Sequence, residues 1–190
     1  MKTQNENKLY EGVIIAGFGG QGIILAGKLL AQTAMNAGKE VTYIPAYGAE
    51  VRGGTSNCTV VIADEPVACP VIANPDSLIA MNKASLDKFA PQLKENGLLI
   101  YNSSLISDIP ELKRRIDILA VPADEIAIRL GNQKAANMVA LGAYLGAREL
   151  FGVEAAAAAL PEVLSQRYHK TIPVNINALR AGADLAQSRS

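Results

Sequence analysis

Apolar positions along the chain fall into blocks with two different periods. Val13 to Ala16 is an unbroken apolar run ending at Gly17, the pattern of a buried strand entering a tight turn. From Gln21 to Ala37 the period lengthens. Ile23, Ile24, Leu30, Ala31, Ala34 and Met35 recur at helical spacing, and Gly38 is placed to end that helix in a left-handed conformation. Val41 to Ala46 then predicts a second strand. Strand, helix and strand in close succession make a βαβ unit, for which a right-handed crossover is expected.

Thr55 to Ala63 predicts a third strand, but only the eight residues from Tyr47 to Gly54 lead into it. A parallel crossover takes about a dozen residues or more, so this strand should run antiparallel or leave the main sheet. Asp64-Glu65-Pro66 predicts a turn into a short strand over Val67 to Ile72, giving a β-hairpin inserted after the βαβ unit. Regular alternation then resumes. Strands are predicted at Ser77 to Met81, Gly97 to Tyr101 and Ile116 to Val121, with helices at Ser85 to Glu95 and near Asp124 to Leu130. The last third predicts helices over Gln133 to Phe151, Val153 to Gln166 and about Asn175 to Gln187, with the Ala155 to Ala159 run a strong helix former. The expected fold class is α/β: a single Rossmann-like open sheet, mostly parallel, with an inserted β-hairpin and a helical C-terminal third. Residues 1–10 read as a flexible lead-in and 11–190 as one domain.

Composition mainly removes alternatives. Eighteen Lys and Arg balance eighteen Asp and Glu, so no whole-molecule charge draws the chain to nucleic acid or to an anionic membrane. Cys58 and Cys69 fit neither a Cys-x-x-Cys pair nor a four-ligand metal pattern and read as two small core or half-buried thiols. Met1 to Glu11 is polar and lacks the apolar core of a signal peptide, and no apolar run approaches the ~18 residues of a membrane span. A cytoplasmic location is expected. His169, the one histidine, reads as a surface or capping residue. No nucleophile–base pair, acidic dyad, zinc ligand set or iron–sulfur cysteine set is visible, so no residue is assigned a catalytic or metal-binding role. The chain does not read as a complete enzyme.

Two clusters carry candidate binding chemistry. Gly17-Phe18-Gly19-Gly20-Gln21-Gly22 matches G-x-G-x-x-G directly after a strand and at the start of a helix. Glycines there allow a tight turn and a close approach of pyrophosphate to backbone N–H groups. Gly17, Gly19, Gly20, Gln21 and Gly22 are therefore candidate ligand contacts; the alternative is a turn whose glycines serve close packing alone. A dinucleotide site would also place Asp or Glu near the end of the second strand, yet that strand ends Tyr43-Ile44-Pro45-Ala46-Tyr47. Independent NAD binding is not expected. The second cluster runs from Tyr47 to Asn57 and should emerge at the same edge as the glycine loop. Arg52, flanked by Gly53 and Gly54, can fork onto phosphate or carboxylate, and Thr55 adds a hydroxyl. The alternative is a surface Arg52 paired with Glu50. Asn82, Asn102, Ser103, Ser104 and Asn137 follow strands or open helices and read as caps or as further polar lining of the same crevice.

These clusters, with Asn137-Met138-Val139-Ala140-Leu141-Gly142, resemble the gamma subunits of 2-oxoacid:ferredoxin (acceptor) oxidoreductases from about Glu11 to Asp184. The resemblance implies oxidative decarboxylation of a 2-oxoacid with coenzyme A to acyl-CoA and carbon dioxide, with electrons passing to ferredoxin. It implies alpha, beta and ferredoxin-like delta partner subunits carrying thiamine diphosphate and iron–sulfur clusters. Coenzyme A is a candidate ligand of this chain, which binds no cofactor autonomously; self-association stays open. Phe18 and the run from Glu50 to Thr55 look more like the 2-oxoglutarate branch than the pyruvate branch, with branched-chain oxoacids as the next choice. Two other readings stand beside this one: a stand-alone nucleotide-binding reductase, and a purely structural scaffold subunit.

Overall fold

The structure, a computed structural model, describes residues 8–47 and 55–189. The described strands are β1 (Tyr10–Phe18), β2 (Glu40–Tyr47), β3 (Thr55–Ala63), β4 (Ser77–Ala80), β5 (Gly97–Asn102) and β6 (Ile116–Val121). They form one sheet in the order β2-β3-β1-β4-β5-β6. β1, β4, β5 and β6 pair in parallel, whereas β3 runs antiparallel to both of its neighbours, β2 and β1. The short link before β3 thus produces the antiparallel strand that its length requires. Five of the six strands point the same way.

The expected hairpin takes a different form. Residues 67–72 form no strand, and the hairpin partner of β3 is β2. Because β2 and β1 occupy both flanks of β3, no free edge remains for a following strand to pair with it. The segment stays largely exposed, with Ile72 reaching the sheet: a Cβ added at Gly12 would fall 2.7 Å from Ile72 Cδ1. β1 also begins earlier than its apolar run suggests, because Leu9 and Asp64 exchange two hydrogen bonds, Leu9 N to Asp64 Oδ2 at 2.7 Å and Asp64 N to Leu9 O at 3.1 Å.

Near-continuous apolar strands reflect burial on both sheet faces. On one face Val13, Ile15, Val60, Ile62 and Ile79 pack beneath α1 (Ile23–Asn36), α4 (Ala136–Arg148), α5 (Val153–Val163) and α6 (Ile172–Gln187). On the other, Ile14, Ala16, Leu78, Ala80 and Leu99 pack with Leu86 of α2 (Lys83–Phe89), Leu93 and Ile106. α1 ends as its sequence predicts: Gly38 has φ 75°, and Lys39 N donates back to Ala34 O at 3.0 Å. α6 starts slightly earlier than expected, at Ile172, with Pro173 in its first turn where a missing N–H costs nothing.

α4 is the central helix of its layer, with every residue from Ala136 to Leu145 buried. Glycines let α6 approach it backbone to backbone: a Cβ at Gly142 would lie 2.0 Å from Leu179 O, and one at Gly182 1.9 Å from Val139 O. The C-terminal end of α4 is pinned to the N-terminal ends of β1 and β4. There Arg148 Nε lies 3.1 Å from the buried Glu11 carboxylate and donates to Ser77 Oγ at 2.9 Å, while Ser77 Oγ donates to Glu11 at 2.6 Å. Burial pushes the Glu11 carboxyl above its ordinary range, opposed by Ser77 and Arg148. This charged cluster anchors the edge of the sheet opposite the glycine loop.

The two thiols part company. Cys58 on β3 is fully buried against α1, where a Cβ at Gly27 would fall 2.2 Å from its sulfur, while Cys69 is exposed. Burial pushes the Cys58 thiol up to about 12. Iodoacetamide at mildly alkaline pH is therefore expected to alkylate Cys69 alone in the folded protein and both thiols in denaturant. Equal rates at the two sites in the native state, read by peptide mass spectrometry, would contradict this packing.

Candidate functional site

The parallel strands β1, β4, β5 and β6 end at one edge of the sheet, and the loops that leave them carry the polar residues noted above. In open α/β sheets this is the edge where ligands bind. The glycine loop fills the gap between the end of β1 and the start of α1. Gly17 is still within the strand, opposite Ser56, and it must lack a side chain: a Cβ there would lie 2.5 Å from Gln21 Oε1 and 2.7 Å from Ile23 Cδ1. The chain then reverses, with Gln21 N donating to Phe18 O at 3.1 Å. Gly20 and Gly22 have φ of 99° and 73°, in the region that favours glycine.

Two side-chain amides hold this turn. Gln21 folds back, accepting from Phe18 N at 2.7 Å and donating to Met81 O at 3.1 Å, just past β4. Asn137, in the first turn of α4 and 4% exposed, donates to Gly22 O at 2.9 Å. A Cβ on Gly22 would come within 2.4 Å of that Asn137 nitrogen. By contrast, nothing lies within 4 Å of a Cβ built on Gly20. Among the described residues, the backbone N–H groups of Gly19, Gly20 and Gly22 have no hydrogen-bond partner.

Beside the loop lies a cleft of about 180 Å³ lined by Gly20, Gln21, Met81, Asp124, Gln133 and Lys134, among others. Asp124 is held in place by Asn102 Nδ2 at 2.5 Å and by Gln133 Nε2 at 3.3 Å. Asn102 is fully buried, and its oxygen accepts from the backbone N–H groups of Ser104 and Ala123, each at 3.2 Å. It thereby joins the loop after β5 to the start of α3 (Ala123–Arg129). The cleft offers a fixed carboxylate, a lysine ammonium and the amides of the glycine loop, a set that suits a polar anionic ligand carrying hydrogen-bond donors.

The structure brings Gly17, Gly19, Gly20, Gln21, Gly22 and Thr55 to one edge: Thr55, the first residue of β3, pairs across from Phe18. Arg52, Gly53 and Gly54 lie outside the described residues. Asn82 caps α2, accepting from Ser85 N at 2.8 Å, and its amide lies 3.4 Å from Gln21 Oε1. His169 stands apart from the cleft, 3.0 Å from Leu164 O at the end of α5. Sequence reading missed Asp124, Gln133 and Lys134 as lining; they arrive from α3 and the turn before α4, far along the chain, with no motif of their own. Among the described residues no group of three or more His, Cys, Asp or Glu could hold a metal ion, and no helix is long and apolar enough to cross a membrane.

A family model described as pyruvate ferredoxin/flavodoxin oxidoreductase matches residues 12–185, and the chain belongs to that family. It is 41% identical over 177 residues to the ketoisovalerate oxidoreductase subunit VorA of Methanothermobacter marburgensis, covering 92% of this chain and 36% of VorA. The chain therefore spans about a third of the length of that relative. Among solved structures, it is 30% identical to the gamma subunit of a keto/oxoacid ferredoxin oxidoreductase from Geobacter sulfurreducens, with a TM-score of 0.79 over 94% of this chain and 99% of that one. The 2-oxoglutarate:ferredoxin oxidoreductase of Magnetococcus marinus, solved with 2-oxoglutarate, coenzyme A and succinyl-CoA, is 26% identical with a TM-score of 0.83. That match covers 96% of this chain and 32% of the Magnetococcus chain.

The two positive-φ glycines should respond differently to substitution. Gly22→Ala meets both backbone strain and the Asn137 amide and is expected to cost on the order of 2 kcal/mol, whereas Gly20→Ala meets strain alone and should cost about 1 kcal/mol. Urea unfolding measures both. A loss at Gly22 no greater than that at Gly20 would contradict the Asn137 contact.

Proposed function

We propose that this chain is the gamma-type subunit of a multisubunit 2-oxoacid:ferredoxin oxidoreductase. The complex oxidatively decarboxylates a 2-oxoacid, with coenzyme A as acyl acceptor and ferredoxin as electron acceptor. One observation carries this reading: the glycine loop and Thr55 of the second cluster adjoin across the Phe18–Thr55 register, at the edge where ligands bind in open α/β sheets, in a chain of a ferredoxin-oxidoreductase family. Alone, the described residues provide a cradle with no metal cluster. Thiamine diphosphate and iron–sulfur clusters belong, in this reading, to alpha, beta and delta-type partners. VorA and the Magnetococcus chain, each about three times as long as the segment matched here, support such a division.

The residues present fit coenzyme A. The N–H groups of Gly19 and Gly20, without a partner among the described residues, can donate to phosphate oxygens, and Gly20 leaves room for close approach. Arg52, between Val51 and the Gly53-Gly54 pair, supplies a guanidinium for a second phosphate contact, and Thr55 supplies a hydroxyl. When bound, coenzyme A supplies the thiol that takes up the acyl group. This chain's own part is to hold and orient the charged end. Gly17 and Gly22 serve the packing that keeps the loop open, which gives the scaffold reading a share of the glycines and leaves Gly19 and Gly20 for ligand. Among oxoacids this reading prefers 2-oxoglutarate, from the resemblance of Phe18 and the Glu50 to Thr55 run to that branch, while VorA supports a branched-chain oxoacid as the second choice. In this reading the complex is cytoplasmic, a location that suits coenzyme A and ferredoxin as its partners.

The test is purification from the native host followed by kinetics of the complex. The chain is expected to co-purify with larger thiamine- and cluster-bearing subunits, and Arg52→Ala is expected to leave assembly intact while raising the KM for coenzyme A about tenfold or more. Recovery of this chain only with copies of itself would contradict the reading. Failure of the Arg52→Ala complex to assemble, with no coenzyme A defect in what does assemble, would favour a scaffold.

A further inference from the structure

Gln21 occupies the middle of the glycine loop, yet both ends of its side-chain amide are engaged within the protein. Its oxygen receives Phe18 N at 2.7 Å and its nitrogen donates to Met81 O at 3.1 Å. Met81 is itself tied to β1, its N–H donating to Ala16 O at 2.8 Å. Gln21 therefore links the loop to the neighbouring strand end. The fold-back also explains why position 17 carries no side chain, since a Cβ there would meet Gln21 Oε1 at 2.5 Å. On the other side of the turn, Asn137 donates to Gly22 O, the same carbonyl that receives Ala26 N at 3.0 Å. Between these two fixed points lie Gly19 and Gly20, whose amides have no partner among the described residues, with open space above Gly20. A glycine-rich turn left to itself visits many conformations, and a ligand must order it on binding.

We propose that Gln21 and Asn137 are positioning residues: a pair of side-chain amides that fix the glycine loop from within, so that Gly19 and Gly20 are held ready for an anionic ligand. The proposal rests on the reading of the loop as a ligand cradle. It assigns to Gln21 a role that its place in a phosphate-binding motif would not suggest, that of a brace.

The test uses the full chain with Gln21→Ala and Gln21→Glu, following coenzyme A binding by calorimetry and, without ligand, the backbone order parameters of Gly19 and Gly20 by NMR relaxation. Gln21→Ala is expected to weaken coenzyme A about tenfold and to lower the order parameters of both glycines. Gln21→Glu keeps the acceptor for Phe18 N but loses the donor to Met81 O. Its glycine order parameters should therefore be low at about pH 7.5 and recover towards about pH 4, as the protonated acid regains an O–H donor. That variant preserves shape and decides the matter if Gln21→Ala does not fold. Unchanged order parameters in the substituted chains, or a loosening in Gln21→Glu that does not move with pH, would overturn the brace. Absence of coenzyme A binding by the unsubstituted chain would instead overturn the ligand reading, and the order parameters would still judge the brace.

Discussion

The site depends on one topological constraint, the wedging of β3 antiparallel between β2 and β1. A parallel strand in that position would have needed a long crossover and would have begun at the far edge of the sheet. The reversed strand begins at the ligand edge instead, with Thr55 directly across from Phe18. The glycine loop and Thr55, thirty-odd residues apart in sequence, are thereby brought to one rim by backbone pairing. The same wedge replaces the second adjacent parallel strand of a dinucleotide fold, and with it the acidic residue that would hold a ribose. The chain keeps the glycine turn of that architecture without an acidic residue at the end of β2.

α4 ties this rim to the body of the protein. Its first turn reaches the loop through Asn137, and its last turn locks onto the opposite edge through Arg148 and Glu11. Along its length it is buried against the sheet and against α6, where Gly142 and Gly182 bring the two helices into backbone contact. A helix so confined has little freedom to slide. The loop geometry is thus set by the packing of a whole layer.

Much of this was legible in the sequence, for physical reasons that differ from element to element. α1 and its Gly38 end were readable because helical spacing and a left-handed stop are local signals. The direction of β3 followed from chain length alone. The 67–72 strand failed because its reading ignored that β3 would be flanked twice, a fact of sheet order that no local pattern encodes. At the site, Gly17, Gly20 and Gly22 stood out, but which of them is left open and which packs against Gln21 or Asn137 could be told only from contacts. Asp124, Gln133 and Lys134 had no spacing to announce them, since their meeting with Gly20 depends on tertiary packing.

Backbone amide NMR of the full chain during titration with coenzyme A addresses the shared rim most directly. The account predicts that Gly19, Gly20 and Thr55 shift together and saturate at one ligand concentration, while Glu11 and Ser77 at the opposite edge stay still. Shifts confined to that opposite edge, or Thr55 silent while the glycines respond, would contradict it.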